Sequence, residues 1–294
     1  MKQILYILFF ILLSCSSQKP IKEYFISVND ISDIYNYRDL SFNLSFLGDT
    51  SKYKYQINNL EIVFDQVSGK FGIRNKKDSK IIKTEYTYLA FLNENYLIAE
   101  KDLLIGVIDI DKNIIIPLIY NYINFYNVDH PFFLVQKSGK QAILDYMGKE
   151  IYPFTINYIK SEVIYKNKVF FSIAEDNYIN RLLKINNGKI DIIPNIYSFE
   201  QLKNNLVKIA YTANGYYGVY NMENDERLDS YGYANCYYHK PKNEIWAMSK
   251  KTGYKNYDVV IDSNFIEKPD SADLQSVPTK YIKSYAKIYS IQRS

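Results

Sequence analysis

The stretch IIIPLIY, residues 114–120, decides the fold. Three isoleucines in a row read as a strand, yet Pro117 has no N–H to give a sheet ladder. A near copy, DIIPNIY, stands at 191–197. Aligning the two prolines and stepping back eleven residues places Gly106 and Leu183 in one slot, opening GVIDIDKNIIIPLIY and LKINNGKIDIIPNIY. The same frame finds GIRNKKDSKIIKTEY from Gly72, AILDYMGKEIYPFTI from Ala142 and GVYNMENDERLDSYG from Gly218. A degenerate sixth copy, VVIDSNFIEKPD, starts at Val259. These anchors are 34, 36, 41, 35 and 41 residues apart, the period of a repeat array. The glycines fit the frame. Gly69, Gly139 and Gly215 each lie three residues before an anchor, and Gly72, Gly106 and Gly218 are anchors themselves.

Each unit reads as β-structure. A short apolar strand comes first, such as YLIA 96–99, FFLV 132–135, FFSI 170–173, LVKIA 206–210 or IWAM 245–248. A glycine-bearing turn follows, then an alternating strand such as VIDID, whose period of two is a strand signal. A second turn, DKN, YMGK or NNGK, has the Asn, Asp and Gly of a hairpin. A third strand is expected to end at the proline, with Ile114 and Ile116 on one face and no ladder bond lost. A short fourth strand is expected after it. The fold class that follows is all-β: a tandem array of about six β-meander repeats, either propeller-like or open and curved. The repeat domain is bounded at 59–270. Residues 15–58 form an N-terminal linker or cap, with helix possible at 28–40. Residues 271–294 form a tail that reads equally as short helix or as a closing strand, SYAKIYSI, pairing near LEIVFD 60–65.

The units SGKFGIRNKKDSKIIKTEY and GVIDIDKNIIIPLIY resemble bacterial WG repeats, in which a G-K-W-G opening leads to y-I-D and then G-K-x-V-I-P-P-x-Y-D. The resemblance covers roughly residues 60–270. The name-giving Trp is replaced by Phe71, Ile105, Gln141, Leu182 and Tyr217, so the array is a diverged one. The resemblance implies a β-rich scaffold, often secreted or surface-linked, with no shared catalytic residues.

The N-terminus reads MKQILYILFFILLSC. Lys2 is followed by an apolar run from Ile4 to Leu13, too short for the roughly 20 residues a membrane span needs. It reads as a signal peptide, residues 1–14. Leu12-Leu13-Ser14-Cys15 resembles a bacterial lipobox. That resemblance implies cleavage between Ser14 and Cys15, with diacylglycerol on the Cys15 sulfur and a further acyl chain such as palmitate. Two or more chains hold a protein firmly on a bilayer. The expected location is the cell envelope, with the outer membrane favoured.

Composition excludes several functions. The formal charge of +4 is too mild for a nucleic-acid partner. Two cysteines, one of them lipidated in this reading, leave no disulfide framework. Only two histidines, His130 and His239, are available for general acid–base work, so no catalytic residue is assigned and the chain reads as no enzyme. Cys236 and His239 have ligand-like spacing, but no second pair completes a zinc site. Asp109, Asp111 and Asn113 mimic the start of a calcium loop. The required Gly and Glu are absent, so the bland reading is a strand entering an Asp/Asn turn. No cofactor is implied. Trp246 reads as core. The 31 tyrosines are spread along the chain and read mostly as outer-face sheet residues. The expected role is a membrane-anchored binding or scaffold module for a protein or envelope polymer. The alternative is a glycan or peptidoglycan binder.

Overall fold

The computed structural model describes residues 25–37, 47, 50–78, 81–212, 216–248, 259–261 and 267–269. Ser14 and Cys15, the rest of the signal segment and the tail 271–294 lie outside the described residues. Among the described residues the chain is all-β, with short helices only, the longest α1 (Ile31–Tyr37) inside the stretch where helix was expected. No described helix is long and apolar enough to cross a membrane. The chain divides into two compact units between Phe125 and Tyr126.

In the first unit one sheet takes β1 (Phe25–Ser27), β2 (Gln56–Ile57), β3 (Leu60–Asp65), β4 (Lys70–Asn75) and β5 (Ile81–Tyr86). The next takes β6 (Tyr88–Phe91), β7 (Tyr96–Lys101), β8 (Leu104–Asp109) and β9 (Ile114–Tyr120) in sequence order. The edge of β3 that the tail was expected to reach is already filled. Ile26 pairs with Phe64 and Ser27 with Val63, and Gln56 pairs with Glu61. β1 and β2, both from the expected cap, therefore belong to the first sheet.

A seven-stranded sheet follows: β10 (Tyr122–Tyr126), β11 (Phe132–Lys137), β12 (Lys140–Asp145), β13 (Glu150–Tyr165), β14 (Lys168–Glu175), β15 (Asn180–Asn186) and β16 (Lys189–Pro194). The second unit, which opens at the end of β10, also holds two four-stranded sheets. One is β17 (Ser198–Lys203), β18 (Leu206–Ala210), β19 (Tyr217–Asn221) and β20 (Arg227–Tyr233). The other is β21 (Asn235–His239), β22 (Glu244–Met248), β23 (Val259–Ile261) and β24 (Glu267–Pro269). Among the described strands all pairs are antiparallel and join sequence neighbours, except that β1 pairs with β3. The expected fourth strand of each unit belongs to the following sheet, which it opens: β6, β10, β17 and β21.

The 16-residue β13 is two strands of successive meanders run together. Its first part pairs with β12 and its second with β14, and the register slips at 156–158 and 159–161. The slips bend the strand, as bulges do. Across the bend the ring of Phe171 meets Tyr126 edge-on at 5.4 Å and Phe132 at 6.3 Å, while Tyr126 and Phe132 stack at 4.6 Å.

The repeat is most regular on its first long strand. The six anchors Gly72, Gly106, Ala142, Leu183, Gly218 and Val259 pair with Val63, Ala99, Val135, Phe171, Ile209 and Ala247. All six partners are buried. Their spacing is 36, 36, 36, 38 and 38 residues, tighter than the anchors themselves. A buried central strand tolerates no length change, whereas hairpin turns do.

The anchor's size decides the third strand. Opposite Gly72, Gly106, Ala142 and Gly218 the ladder breaks into a bulge. Opposite Leu183 and Val259 it runs in regular register. At Gly106 the reason is explicit. A Cβ there would lie 2.4 Å from the Ile116 carbonyl oxygen and 2.8 Å from Pro117 C and Leu118 N. The bulged backbone of β9 rests on this glycine, where a Cβ would collide with it.

This corrects the reading of the proline. Pro117 and Pro153 lie inside strands, whereas Pro194 and Pro269 end theirs. Val107 pairs with Ile116 and Ile105 with Tyr120, so 117–119 form the bulge and Pro117 costs no ladder bond. A second slip follows between Val107 and Ile108, so Ile114 and Ile116 do not share an environment. Ile116 is buried and Ile114 is 64% exposed.

A further slot escaped the sequence reading. Three residues after each of the first five anchors stands Asn75, Asp109, Asp145, Asn186 or Asn221. Asn75 accepts from Lys77 N, Asp109 from Asn113 N, Asp145 from Met147 N and Lys149 N, and Asn221 from Glu223 N. These side-chain bonds, Asx turns at Asn75, Asp145 and Asn221 and a wider loop at Asp109, close the hairpin between second and third strands. Asp109 is thus a turn former, as the bland reading of DIDKN expected.

Candidate functional site

β15 is a strand buried on both faces, so a charged residue in it needs partners. Lys184 is that residue, only 8% exposed. It pairs across the hairpin with Asp191 of β16, a pairing set by the tight Asn187-Gly188 turn, where both residues have positive φ. Its ammonium lies 2.8 Å from Asp191 Oδ2 and 2.8 Å from Asp225 Oδ2. Asp225 comes from the turn after β19 and sits at φ +63, a left-handed conformation that Asp tolerates better than most residues. The buried hydroxyl of Tyr220 donates to Asp225 Oδ1 at 2.5 Å.

These groups line a cleft of about 460 Å³ between the sheet of β15 and that of β19. Its floor is apolar, from Leu182, Ile193, Ile196 and Ile209, and Arg227 joins the charged rim. The side chains below belong to one buried cluster with Phe170, Val207 and Met222.

Every titration shift at this site moves away from neutrality. Burial alone would lower the Lys184 pKa, but its bonds to Asp191 and Asp225 outweigh that and raise it. Burial alone would raise Asp225, but bonds from Lys184 and Tyr220 hold it below the ordinary carboxylate value of 3.8. Burial, and then the bond to Asp225, push the Tyr220 phenol well above its ordinary 10.0.

A stability consequence follows from the signs. Asp225's depressed pKa contributes stability above pH 3.8, lost as acid protonates it in the fold. The raised values of Lys184 and Tyr220 contribute stability below about pH 10, lost as alkali deprotonates them. Lys184→Met keeps the side-chain volume and removes the cation. Both aspartates reach water, so the expected loss at pH 7 is only about 1 kcal/mol. Urea midpoints measured from pH 3 to 11 should vary less in the variant than in the parent at both ends. Parallel profiles would refute the coupling.

No protein-family model matches the chain. It is 24% identical over 215 residues to Protein MGF 505-1R of African swine fever virus, isolate Tick/Malawi/Lil 20-1/1983. The match takes in 70% of this chain and 39% of that protein, so the chain spans well under half of the relative's length. Among solved structures, Kluyveromyces lactis Hsv2 is similar with a TM-score of 0.30 at 12% identity, over 76% of this chain and 83% of that one. The Cps50 (Swd1) β-propeller domain of Myceliophteria thermophila gives a TM-score of 0.26 at 10% identity, over 68% of this chain and 90% of that one. These values place the chain in no family, and scores this low carry no argument about function.

A second polar cluster joins β13, β14 and β15. Glu175 accepts from Tyr152 at 2.8 Å, Thr155 at 2.6 Å and Arg181 Nε at 2.6 Å. Burial would raise its pKa, but the three donors hold it below the usual range. This carboxylate, with three donors on its two oxygens, is a brace at the bend of the long strand.

The residues singled out from sequence do not meet here. Cys236 is buried among Leu206, Val219, Tyr233 and Ile245, and burial pushes its thiol up to about 12. His239 lies on the other face of β21, as odd spacing on a strand requires, and stacks on Trp246 with centroids 4.1 Å apart. Trp246 is itself buried, as expected. His130 is exposed beside Gly188. Among the described residues no group of three His, Cys, Asp or Glu side chains is placed to hold a metal ion. Lys184 and Asp191 were legible in principle, as opposite charges facing across an Asn-Gly hairpin. Asp225, 41 residues from Lys184, was not.

Proposed function

We propose that the chain is a lipid-anchored binding module of the bacterial cell envelope, tethered through Cys15, whose six β-meanders present the Lys184 cleft to a protein segment. The six units rest on counting β13 twice, once for each meander that it serves. Small-angle scattering separates a closed propeller from an open curved array of such units.

The observation that carries the binding reading is the state of the charged groups in the cleft. General acids and bases work best with pKa values near the operating pH. Here bonds to Asp191 and Asp225 raise Lys184, bonds from Lys184 and Tyr220 lower Asp225, and burial followed by the bond to Asp225 raises Tyr220. Such groups hold a fixed charge pattern over an apolar floor, which suits recognition. An apolar side chain flanked by polar backbone, as a peptide offers, matches floor and rim together.

One experiment tests both halves. A photoreactive residue in place of Ile193 should give a discrete cross-linked species in intact cells. The same label in place of exposed Met147 should not. Cys15→Ala should move the protein from the membrane to the soluble fraction and abolish the adduct. Retention of that variant on membranes removes the anchor. An adduct pattern identical at 193 and 147 removes the cleft.

A further inference from the structure

The tyrosines look scattered in sequence, but the fold gathers four of them at one end of the β17–β20 sheet. Tyr197 precedes β17, Tyr211 follows β18, Tyr216 precedes β19 and Tyr217 opens it. Ser198 pairs with Ala210 and Ala210 with Tyr217, which brings these segments side by side. The backbone N–H of Tyr211 donates to the Tyr216 carbonyl at 3.0 Å.

Three of the rings carry a cation. Lys160 Nζ stands 3.2 Å from the Tyr197 centroid, Lys208 Nζ 5.2 Å from that of Tyr217, and the Arg227 guanidinium 5.8 Å from that of Tyr211. Such contacts hold ring orientations fixed before any ligand arrives. The fourth, Tyr216, is 55% exposed and sits at φ +73, a conformation that costs a bulky residue strain.

Beside them lies a hollow of about 150 Å³ lined by Tyr197, Tyr217, Ser198, Thr212, Glu200 and Lys208. Its volume corresponds to about five waters at their ~30 Å³ share. Glu200 and Lys208 are paired at 2.6 Å, so the lining offers donors and acceptors without net charge. This differs from the Lys184 cleft, whose floor is aliphatic. A hollow with aromatic faces and a neutral ring of hydroxyl, carboxylate and ammonium groups matches one ligand chemistry. That chemistry is a ring with an apolar C–H face and an equatorial fringe of hydroxyls.

We infer that this end of the sheet is a subsite for a single neutral hexopyranose ring of an envelope polysaccharide, with Tyr217 of the lining and its exposed chain neighbour Tyr216 as stacking surfaces and Ser198, Thr212, Glu200 and Lys208 bonding its hydroxyls. The inference uses a different surface from the Lys184 cleft, so either can fail without the other.

The test is calorimetric titration of the full chain carrying Cys15→Ala with two neutral probes, chitotetraose and maltotetraose. At least one should bind. Tyr216→Gly relieves the positive φ, so it should keep or raise the melting temperature while weakening binding at least tenfold. Tyr216→Trp should retain binding. Tyr158→Ala, on a tyrosine also 55% exposed but on β13, should leave affinity within twofold. Three results overturn the inference: no binding of either probe, equal weakening by Tyr158→Ala, or binding of heparin with neither neutral probe bound.

Discussion

Gly106→Val should destabilise the protein by about 3 kcal/mol or more, among the larger effects open to a single substitution. The argument is steric. Gly106 does not need a positive φ, so its backbone would accept a side chain. The obstacle is the bulge of β9, whose Ile116 oxygen stands 2.4 Å from where a Cβ would be. That neighbour is main chain and cannot swing aside as a side-chain tip does. Relieving the contact means lifting 116–118 off β8, which drags the buried Ile116 and Tyr120 with it. A urea titration followed by far-UV circular dichroism reads the loss. Gly139→Ala is the matched comparison. Its φ is +79 with nothing within 4 Å, so strain alone should cost roughly 1 kcal/mol. Equal losses for the two would mean that the bulge does not rest on Gly106.

Phe171→Ala should lose about 4 kcal/mol from the second unit. Phe171 is fully buried on β14, opposite the anchor Leu183, and its ring closes the contact across the bend of β13. Truncation leaves a cavity and also removes the edge-on contact with Tyr126, a type of pair worth about 0.5–1.5 kcal/mol. Refilling is hindered because Tyr126 is held by its hydroxyl bond to Glu162 at 2.8 Å. Trp246 is the sole tryptophan and lies in the same unit, so its fluorescence in urea reports the transition. Phe171→Leu should recover more than half of the loss. A midpoint shift for Phe171→Ala no greater than that of a surface substitution would show that the bend is held by backbone pairing alone.

Much of the architecture was legible from the chain. The proline slot gave a frame, the frame gave six anchors, and each anchor does occupy the second strand of its meander beside a buried partner. What the frame could not give was the behaviour of Pro117. A local reading treats proline as a strand end because it lacks a donor. In the fold the donor is not needed there, since Gly106 opens space for the strand to bulge and continue. The decisive residue lies eleven positions away, and its effect passes through a cross-strand contact. The Lys184 site divides the same way. Lys184 and Asp191 face each other by hairpin arithmetic, while Asp225 and Tyr220 arrive from the neighbouring sheet. The tyrosine end of the β17–β20 sheet was wholly hidden, because its four rings belong to three separate segments.

The sequence by itself determined the period, the β class and the position of the buried first strand in each unit, because those depend on alternation and on turn residues within a few positions. The proposed Cys15 anchor rests on a contiguous pattern of the same local kind. Only the tertiary structure decided which third strands bulge, that two meanders share the single strand β13, and which charged and aromatic side chains meet. Those outcomes depend on contacts between residues far apart in the chain, where the size of one side chain sets the path of another strand's backbone.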